Sequence, residues 1–199
     1  MSGVFSKWCK RVPVKRHQQP DDDKLKELII YLSILSEGDR FYGAIKLNKL
    51  LFYADFMAYL RFGASITGQE YQRLEHGPAP RRLRPVVERM KKTGDIVVRE
   101  DSIGGFRQIR TLAKREPKLS LFSGPEVALI DETIHRFRSM SATDISEKSH
   151  DFLGWKLAEL NETIPYNVAL IGARKPTPRE RAQGRHLQKF AKEVLSGLK

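Results

Sequence analysis

Apolar residues recur at the three- and four-residue spacing of a helix along much of the chain, most clearly in residues 46–62. One face of this segment predicts packing into a core, and its residues are Leu47, Leu50, Leu51, Ala54, Met57 and Ala58. A neighbouring face contains Lys46, Lys49, Tyr53, Phe56 and Leu60, and a third contains Phe52 and Tyr59. Because little of the circumference is purely polar, we expect this helix to be largely buried or to hold a partner.

Two further helices are predicted on either side of it. Asp21 to Asp23 place negative charge at the start of the first helix, whose apolar stripe is Leu25, Leu28, Ile29, Leu32 and Leu35. Gly63 is expected to end the second helix, and residues 69–75 to form a short strand. Pro80 is predicted to start the third helix, which Gly94 closes; its buried face is Leu83, Val86, Val87 and Met90.

The middle of the chain changes to the pattern of a β-hairpin and then returns to helices. Two β-branched segments within about residues 96–112 are joined by the Gly-containing link DSIGG. Ser123 and Glu126 have the spacing of a capping box, which predicts a fourth helix running to about Met140. Its stripe is Val127, Ile130, Ile134 and Phe137, and shorter helical segments are expected at 143–150, 155–160 and 166–171.

These elements predict three parts of the chain. Residues 1–20 are expected to be a basic disordered arm, residues 21–173 a helical domain, and residues 174–199 a linker followed by a basic amphipathic helix. The fold class is mainly α with a small antiparallel β-sheet, that is α+β. The order helix, helix, helix, hairpin is also that of a winged-helix module.

Charge is concentrated at the two ends of the chain. The formal net charge is +12, of which residues 1–20 supply +5 and residues 174–199 supply +6. The remaining body is nearly neutral, so the composition favours basic arms on a balanced domain rather than a basic surface all round. One local excess remains in the third helix, where Arg84, Arg89, Lys91 and Lys92 are candidates for nucleic-acid contacts.

No pattern in the chain predicts catalysis, a metal site or a cofactor. Cys9 is the only cysteine, which excludes an internal disulfide and fits a reducing compartment. Ser149, His150 and Asp151 are the residue types of a hydrolase triad, but sequence neighbours project in different directions. The histidines lack paired spacing for a metal. We therefore expect a cytoplasmic protein that is not an enzyme and does not span a membrane.

Three motifs together resemble the Panacea domain, the antitoxin family that includes SocA-like proteins and phage-associated relatives. They are the run from Lys46 to Ala54, the turn His76-Gly77-Pro78, and the pair Ser149-His150 with Trp155 downstream. The resemblance covers roughly residues 24–170. It implies an antitoxin whose partner is a protein toxin, and a structural role for the residues around Ser149.

Two functions follow as alternatives. The first is an antitoxin, for which the candidate partner-binding residues are Lys46, Lys49, Tyr53, Phe56, Tyr59, His76, Arg81 and Arg82. In this reading Gly77, Pro78, Ser149, His150 and Trp155 maintain the fold around them. The second is a winged-helix DNA-binding regulator, in which the third helix enters a groove and the basic tails neutralise phosphates. A homodimer is left open in both.

Overall fold

The computed structural model describes residues 18–103 and 105–171. The predicted basic arm lies outside these described residues except for residues 18–20, and the predicted linker and C-terminal amphipathic helix lie wholly outside them. The chain divides into two compact units, residues 1–169 and 170–199, and the described residues belong almost entirely to the first.

The first two helices follow the predicted pattern. Helix α1 spans Asp22–Leu35, and the side chain of Asp21 caps it by accepting a hydrogen bond from the backbone N–H of Lys24 at 2.9 Å. Helix α2 spans Ala44–Phe62 and ends at Gly63, whose φ of 74° is the left-handed conformation that glycine adopts without a steric penalty. Leu35 is an exception to the predicted stripe, because it lies in the last turn of α1 and is 38% exposed.

A three-stranded antiparallel sheet packs against α2, and two of its strands lie between α2 and the next helix in sequence. Its strands are β1 (Tyr71–Leu74), β2 (Gly77–Pro80) and β5 (Thr163–Ile164), in the order β2-β1-β5. Strands β1 and β2 form a hairpin whose two-residue turn is Glu75-His76. The expectation that Pro80 starts a helix is wrong, because Gly77 to Pro80 pair with β1 as an edge strand, a position that tolerates proline.

Helix α3 and the second sheet come next. Helix α3 spans Leu83–Thr93 and ends at Gly94, as predicted. Strands β3 (Ile96–Ile103) and β4 (Phe106–Ala113) form the predicted hairpin, although both strands extend further into the link than the sequence suggested. The hairpin packs on α1 and α3.

Three helices complete the described chain. Helix α4 spans Gly124–Phe137 and begins with the predicted Ser123–Glu126 capping box, but it ends before Met140. Helix α5 spans Ala142–His150 and has a capping box of its own, from Ser141 and Asp144. Helix α6 is short, spanning Leu153–Leu157, and 3-10 turns occupy Leu119–Leu121 and Tyr166–Leu170.

The interior consists of two clusters of buried side chains that meet at α2. The larger one joins α1, α2, α3 and α4 through residues such as Leu28, Leu51 and Ile130. The smaller one is aromatic, and its members are Phe52, Phe56, Tyr71, Ile164 and Ala169, with Phe152, Trp155 and Tyr166 packed against them. Because one face of α2 supplies each cluster, α2 is the central element of the fold.

A buried carboxylate fixes the segment between α2 and β1. Asp55 accepts hydrogen bonds from the backbone N–H of Thr67 at 2.8 Å, the Thr67 hydroxyl at 2.5 Å and the Tyr71 hydroxyl at 2.8 Å. Burial raises the pKa of this carboxyl, while these hydrogen bonds oppose the shift. The network therefore joins α2 to the connecting segment and to the first residue of β1.

Candidate functional site

The three sequence motifs meet at one place, where the turn between β1 and β2 lies over α2 and α5. Lys49 of α2 reaches the backbone carbonyl of His76 and donates a hydrogen bond to it. Ser146 of α5 donates a second hydrogen bond to the same carbonyl at 2.8 Å. One carbonyl oxygen thus joins the run at Lys46–Ala54, the His-Gly-Pro turn and the helix that contains Ser149.

Gly77 is required by this close approach. Its φ of 101° lies in the region that residues with a Cβ rarely adopt. A Cβ built on Gly77 would also collide with the Nζ atom of Lys49 and lie 2.5 Å from the Oγ atom of Ser149. The conformation and the lack of a side chain together allow the hairpin to lie directly on the two helices.

The segment from α5 to α6 holds the other side of the hairpin. The indole Nε1–H of Trp155 donates to the carbonyl of Leu74 at 3.0 Å. The imidazole of His150 stacks on the indole, with ring centroids 4.0 Å apart, and the guanidinium of Arg73 lies 4.7 Å from the same ring. Ser149 is fully buried and donates to the carbonyl of Ser146 at 2.6 Å. Through these contacts, Ser149, His150 and Trp155 pack within the fold and support the hairpin.

A surface pocket of about 370 Å³ opens beside the turn, and we name it the Lys49 pocket. Its lining residues are Ile45, Asn48, Lys49, Leu74, Glu75, His76, Gly77, Ala79 and Leu160. Two large apolar side chains on its rim face solvent, since Ile45 is 45% exposed and Leu160 is 60% exposed. The pocket therefore combines an exposed apolar rim with a buried cation.

The sequence did not single out the rim residues. Ile45 is an apolar residue that belongs to none of the three stripes of α2, and this irregularity is the one feature that could have identified it. Leu160 follows a short helix and precedes β5, where no periodic pattern exists. Only the tertiary structure brings it to Ile45.

The two lysines of the motif have different surroundings although both are buried. The Nζ atom of Lys46 lies 2.6 Å from the Oδ2 atom of Asp39 and donates to the carbonyls of Arg138 at 3.0 Å and Met140 at 2.7 Å. Lys49 is 2% exposed and has no ion pair with any described residue. Burial lowers the pKa of Lys49 to about 8.

Most of the residues proposed from the sequence as a partner-binding face of α2 lie inside the protein. Lys46, Phe56 and Tyr59 are buried, and Tyr53 is half-buried against Phe137, with ring centroids 4.4 Å apart. Phe56 packs on Tyr166 at 4.6 Å. Core packing therefore accounts for these rings, which is one of the two alternatives stated for α2. Of this set on α2, Lys49 lines the Lys49 pocket, and Tyr59 lines a second pocket.

The basic residues near α3 are exposed, as the sequence suggested, but several are paired within the chain. Arg82 donates to the carboxylate of Asp22 at 2.7 and 2.6 Å, and Arg89 donates to it at 3.1 Å. The hydrogen bonds from Arg82 are the main reason that the pKa of Asp22 falls to about 2. Arg81 donates to the carbonyl of Asn161 at 2.5 Å. Arg84 and Lys92 make no ion pair with another described residue.

A larger pocket of about 480 Å³ lies on another part of the fold, against Tyr59 and Tyr166. Its lining contains none of the residues of the His-Gly-Pro turn or of α5. We therefore place the candidate site at the Lys49 pocket, where the three motifs converge, and not at the larger cavity.

Within residues 18–103 and 105–171, no group of three or more His, Cys, Asp or Glu side chains is arranged to hold a metal ion. In the same part of the chain, no helix has the length and apolar character needed to cross a membrane.

Comparison with known proteins identifies a family for this chain. A family model described as antitoxin SocA-like, Panacea domain, matches residues 47–156, which is more than half of the chain. No curated protein and no solved structure matches the chain. The matched region begins in α2 and ends in α6, so it contains the turn at His76 and all of α5.

Proposed function

We propose that this chain, which belongs to the SocA-like antitoxin family with a Panacea domain, binds and neutralises a cognate protein toxin through protein–protein contacts. The observation that supports this proposal is the Lys49 pocket, because it lies at the meeting point of the motifs within the matched region. In this proposal the chain acts by surface complementarity and performs no chemistry of its own.

The rim of the pocket has the character of a protein-binding surface. Large apolar side chains that anchor an interface typically surround or enter a small pocket, with polar groups at the edge. Ile45 and Leu160 supply exposed apolar area, and Glu75 and His76 supply the polar edge. A partner that covers this rim would remove the apolar surface from water, which favours association.

Co-expression tests the proposal directly. An antitoxin is usually encoded beside the toxin it restrains, so the product of the neighbouring reading frame is the first candidate. We expect that product to arrest growth alone, to form a complex that co-purifies with this chain, and to lose its toxicity when both are present. Absence of both the complex and the rescue would contradict the proposal.

A double substitution on the rim should weaken the complex without unfolding the chain. In Ile45→Gln/Leu160→Gln, the two exposed side chains lose the apolar area that the partner would cover, and we expect the Kd to rise by about tenfold or more. Isothermal titration calorimetry with the purified toxin measures this change.

The hairpin offers a matched control. Val97 of β3 and Ile109 of β4 are 45% and 41% exposed, so Val97→Gln/Ile109→Gln makes the same chemical change elsewhere on the surface. We expect this control to bind within about twofold of the unmodified chain. Equal weakening by the rim pair and the hairpin pair would show that the Lys49 pocket is not the binding surface.

Nucleic-acid binding by α3 is a second candidate function, favoured by the exposed cations of that helix. Arg84, Arg89, Lys91 and Lys92 all face solvent, and the β3–β4 hairpin lies beside them in the manner of a wing. Ion pairs to Asp22 and Glu88 already occupy Arg89 and Lys91, which leaves Arg84 and Lys92 as the stronger candidates for phosphate contacts. An antitoxin that also represses its own operon would use this surface.

Salt dependence distinguishes docking by α3 from attraction by the tails. If Arg84 and Lys92 contact phosphates, Arg84→Gln/Lys92→Gln should reduce the slope of log K against log salt by about 2 in the full chain, because each lost phosphate contact removes about 0.9. The control Arg136→Gln/Lys156→Gln removes the same charge from other helices. Fluorescence anisotropy with duplex DNA measures both slopes, and equal slopes for the two variants would exclude docking by α3.

A further inference from the structure

Lys46 and Lys49 lie three residues apart on α2, and the difference between them indicates what the Lys49 pocket binds. Lys46 has a carboxylate and two carbonyls around its ammonium, so its charge is compensated inside the protein. Lys49 is equally buried, but its only recorded acceptor among the described residues is the carbonyl of His76. A buried cation without a counter-ion is costly, and a protein normally pairs it.

Hydrogen-bonding capacity remains at the base of the pocket. An ammonium group has three N–H donors, and the carbonyl of His76 uses one of them. The side chain of Asn48 also lines the pocket, and its buried Oδ1 atom has no hydrogen-bond partner among the described residues. Because the two ends of an amide can exchange by a flip, Asn48 can present N–H groups to an acceptor in the pocket.

We propose that the Lys49 pocket receives an aspartate or glutamate side chain of the protein partner, whose carboxylate pairs with the ammonium of Lys49. This inference rests on the proposed function and names the chemistry by which the partner is recognised. The partner's carboxylate would supply for Lys49 the counter-ion that Asp39 supplies for Lys46. The exposed rim at Ile45 and Leu160 would exclude water from the pair, which strengthens the attraction.

The pocket favours a side chain over a C-terminal carboxylate. An acidic side chain carries its charge on one or two methylene groups, which suit the apolar walls formed by Leu74, Ala79 and Leu160. A C-terminus would bring a peptide N–H that needs an acceptor, whereas the carbonyl of His76 already accepts two hydrogen bonds. Glu75 on the pocket wall is exposed and makes no ion pair with Lys49, so it leaves the cation available.

A double-mutant cycle with the purified toxin tests the inference. We expect Lys49→Met to raise the Kd by about tenfold or more, because the partner's carboxylate would then be buried without its cation. One Asp→Asn or Glu→Gln substitution in the toxin should cause a similar loss with the unmodified chain but only about a twofold loss with Lys49→Met. Circular dichroism and the Tm of each variant establish that it is folded.

The outcomes separate this inference from the function on which it rests. If the toxin binds and Lys49→Met stays within about twofold of the unmodified chain, the carboxylate inference is wrong and the antitoxin function stands. If the toxin does not bind the unmodified chain at all, both fail. A toxin extended by two residues at its C-terminus should bind normally, and a loss of about tenfold would identify the C-terminus as the occupant.

The pH dependence of binding gives a readout that needs no substitution of Lys49. The pKa of Lys49 is about 8 in the free chain, so pairing with a carboxylate at higher pH requires proton uptake. Affinity should therefore fall from about pH 8 upward by as much as tenfold per pH unit. The groups that face Lys49 are Asn48 of α2, Glu75 and His76 of the turn, and Ser149 and His150 of α5.

Controls isolate the contribution of Lys49 to that profile. Burial, with the nearby Lys49 ammonium, lowers the pKa of His150, so this imidazole is neutral across the measured range. The Lys49→Met variant, or the toxin variant that lacks the essential acid, retains the other groups and should show a flatter profile. Identical profiles for the unmodified and substituted pairs would overturn the inference.

Discussion

Lys46→Met should lower the free energy of unfolding by about 3–5 kcal/mol, because it removes one partner of a buried ion pair and leaves the other charge behind. The side chains of Lys46 and Asp39 are 1% and 5% exposed, and their charged atoms are 2.6 Å apart. The carbonyls of Arg138 and Met140, which follow α4 in the chain, would lose their donor as well. Urea unfolding of the full chain, followed by circular dichroism, measures the change.

Lys49→Met is the matched control, since it makes the same substitution three residues later on the same helix. No carboxylate is left unpaired in this variant, so the destabilisation expected for Lys46→Met should be absent, and a gain in stability is expected near pH 7. Burial lowers the pKa of Lys49 to about 8, below the value of 10.5 that applies to an unfolded chain. The folded state therefore binds this proton less tightly than the unfolded state does.

Because the pKa of Lys49 is lower in the folded state, the effect of this lysine on stability depends on pH. The unfavourable contribution of Lys49 is fully present below about pH 8 and disappears as pH rises toward the unfolded pKa of 10.5. The stability gain of Lys49→Met over the unmodified chain should shrink across this window. Comparable destabilisation by Lys46→Met and Lys49→Met would mean that the two ammonium groups are compensated alike, contrary to the geometry described above.

Gly77→Ala should be destabilising by about 2–5 kcal/mol, the sum of a backbone term and a packing term. The φ of 101° is unfavourable for alanine, and the new methyl group would collide with the ammonium of Lys49 and crowd the hydroxyl of Ser149. The hairpin would have to move away from α2 and α5 to admit it. We therefore expect both a lower urea midpoint and a weaker complex with the toxin, because the turn forms one wall of the Lys49 pocket.

Gly94→Ala measures the backbone term without the packing term. Gly94 also has a positive φ, 76°, but a Cβ there meets no atom within 4 Å. This variant should cost only about 1–2 kcal/mol, the price of the left-handed conformation. Equal losses at positions 77 and 94 would show that contact with Lys49 and Ser149 contributes nothing to the effect at Gly77.

The helices and the β3–β4 hairpin could be predicted because their causes are local. The capping box at Ser123 and Glu126 and the glycines that end α2 and α3 act over a few residues, and the structure contains each of them. The residues around Pro80 show where local reasoning failed. A proline can start a helix or sit on an edge strand, and only the pairing of β2 with β1 decides between the two.

The sequence predicted the candidate site only in part. Three motifs carried the resemblance to the family, and the comparison with known families confirmed that family. The aromatic stripe of α2 was compatible with a core or with a partner surface, because helical spacing shows that residues share a face but does not show what covers it. The side chains of Phe152, Tyr71 and Tyr166, which pack against Phe56, come from segments up to 110 residues away.

Lys46 and Lys49 show the separate contributions of helical periodicity in the sequence and of tertiary packing. Periodicity established that both lie on one face of an amphipathic helix, since that depends only on 3.6 residues per turn. The contacts that distinguish them come from other segments of the chain: Asp39 and the residues that follow α4 reach Lys46, whereas the turn at His76 reaches Lys49. A side chain's charge environment depends on which remote segments fold against it, so the packing of the whole chain made one lysine a structural ion pair and left the other in an open pocket.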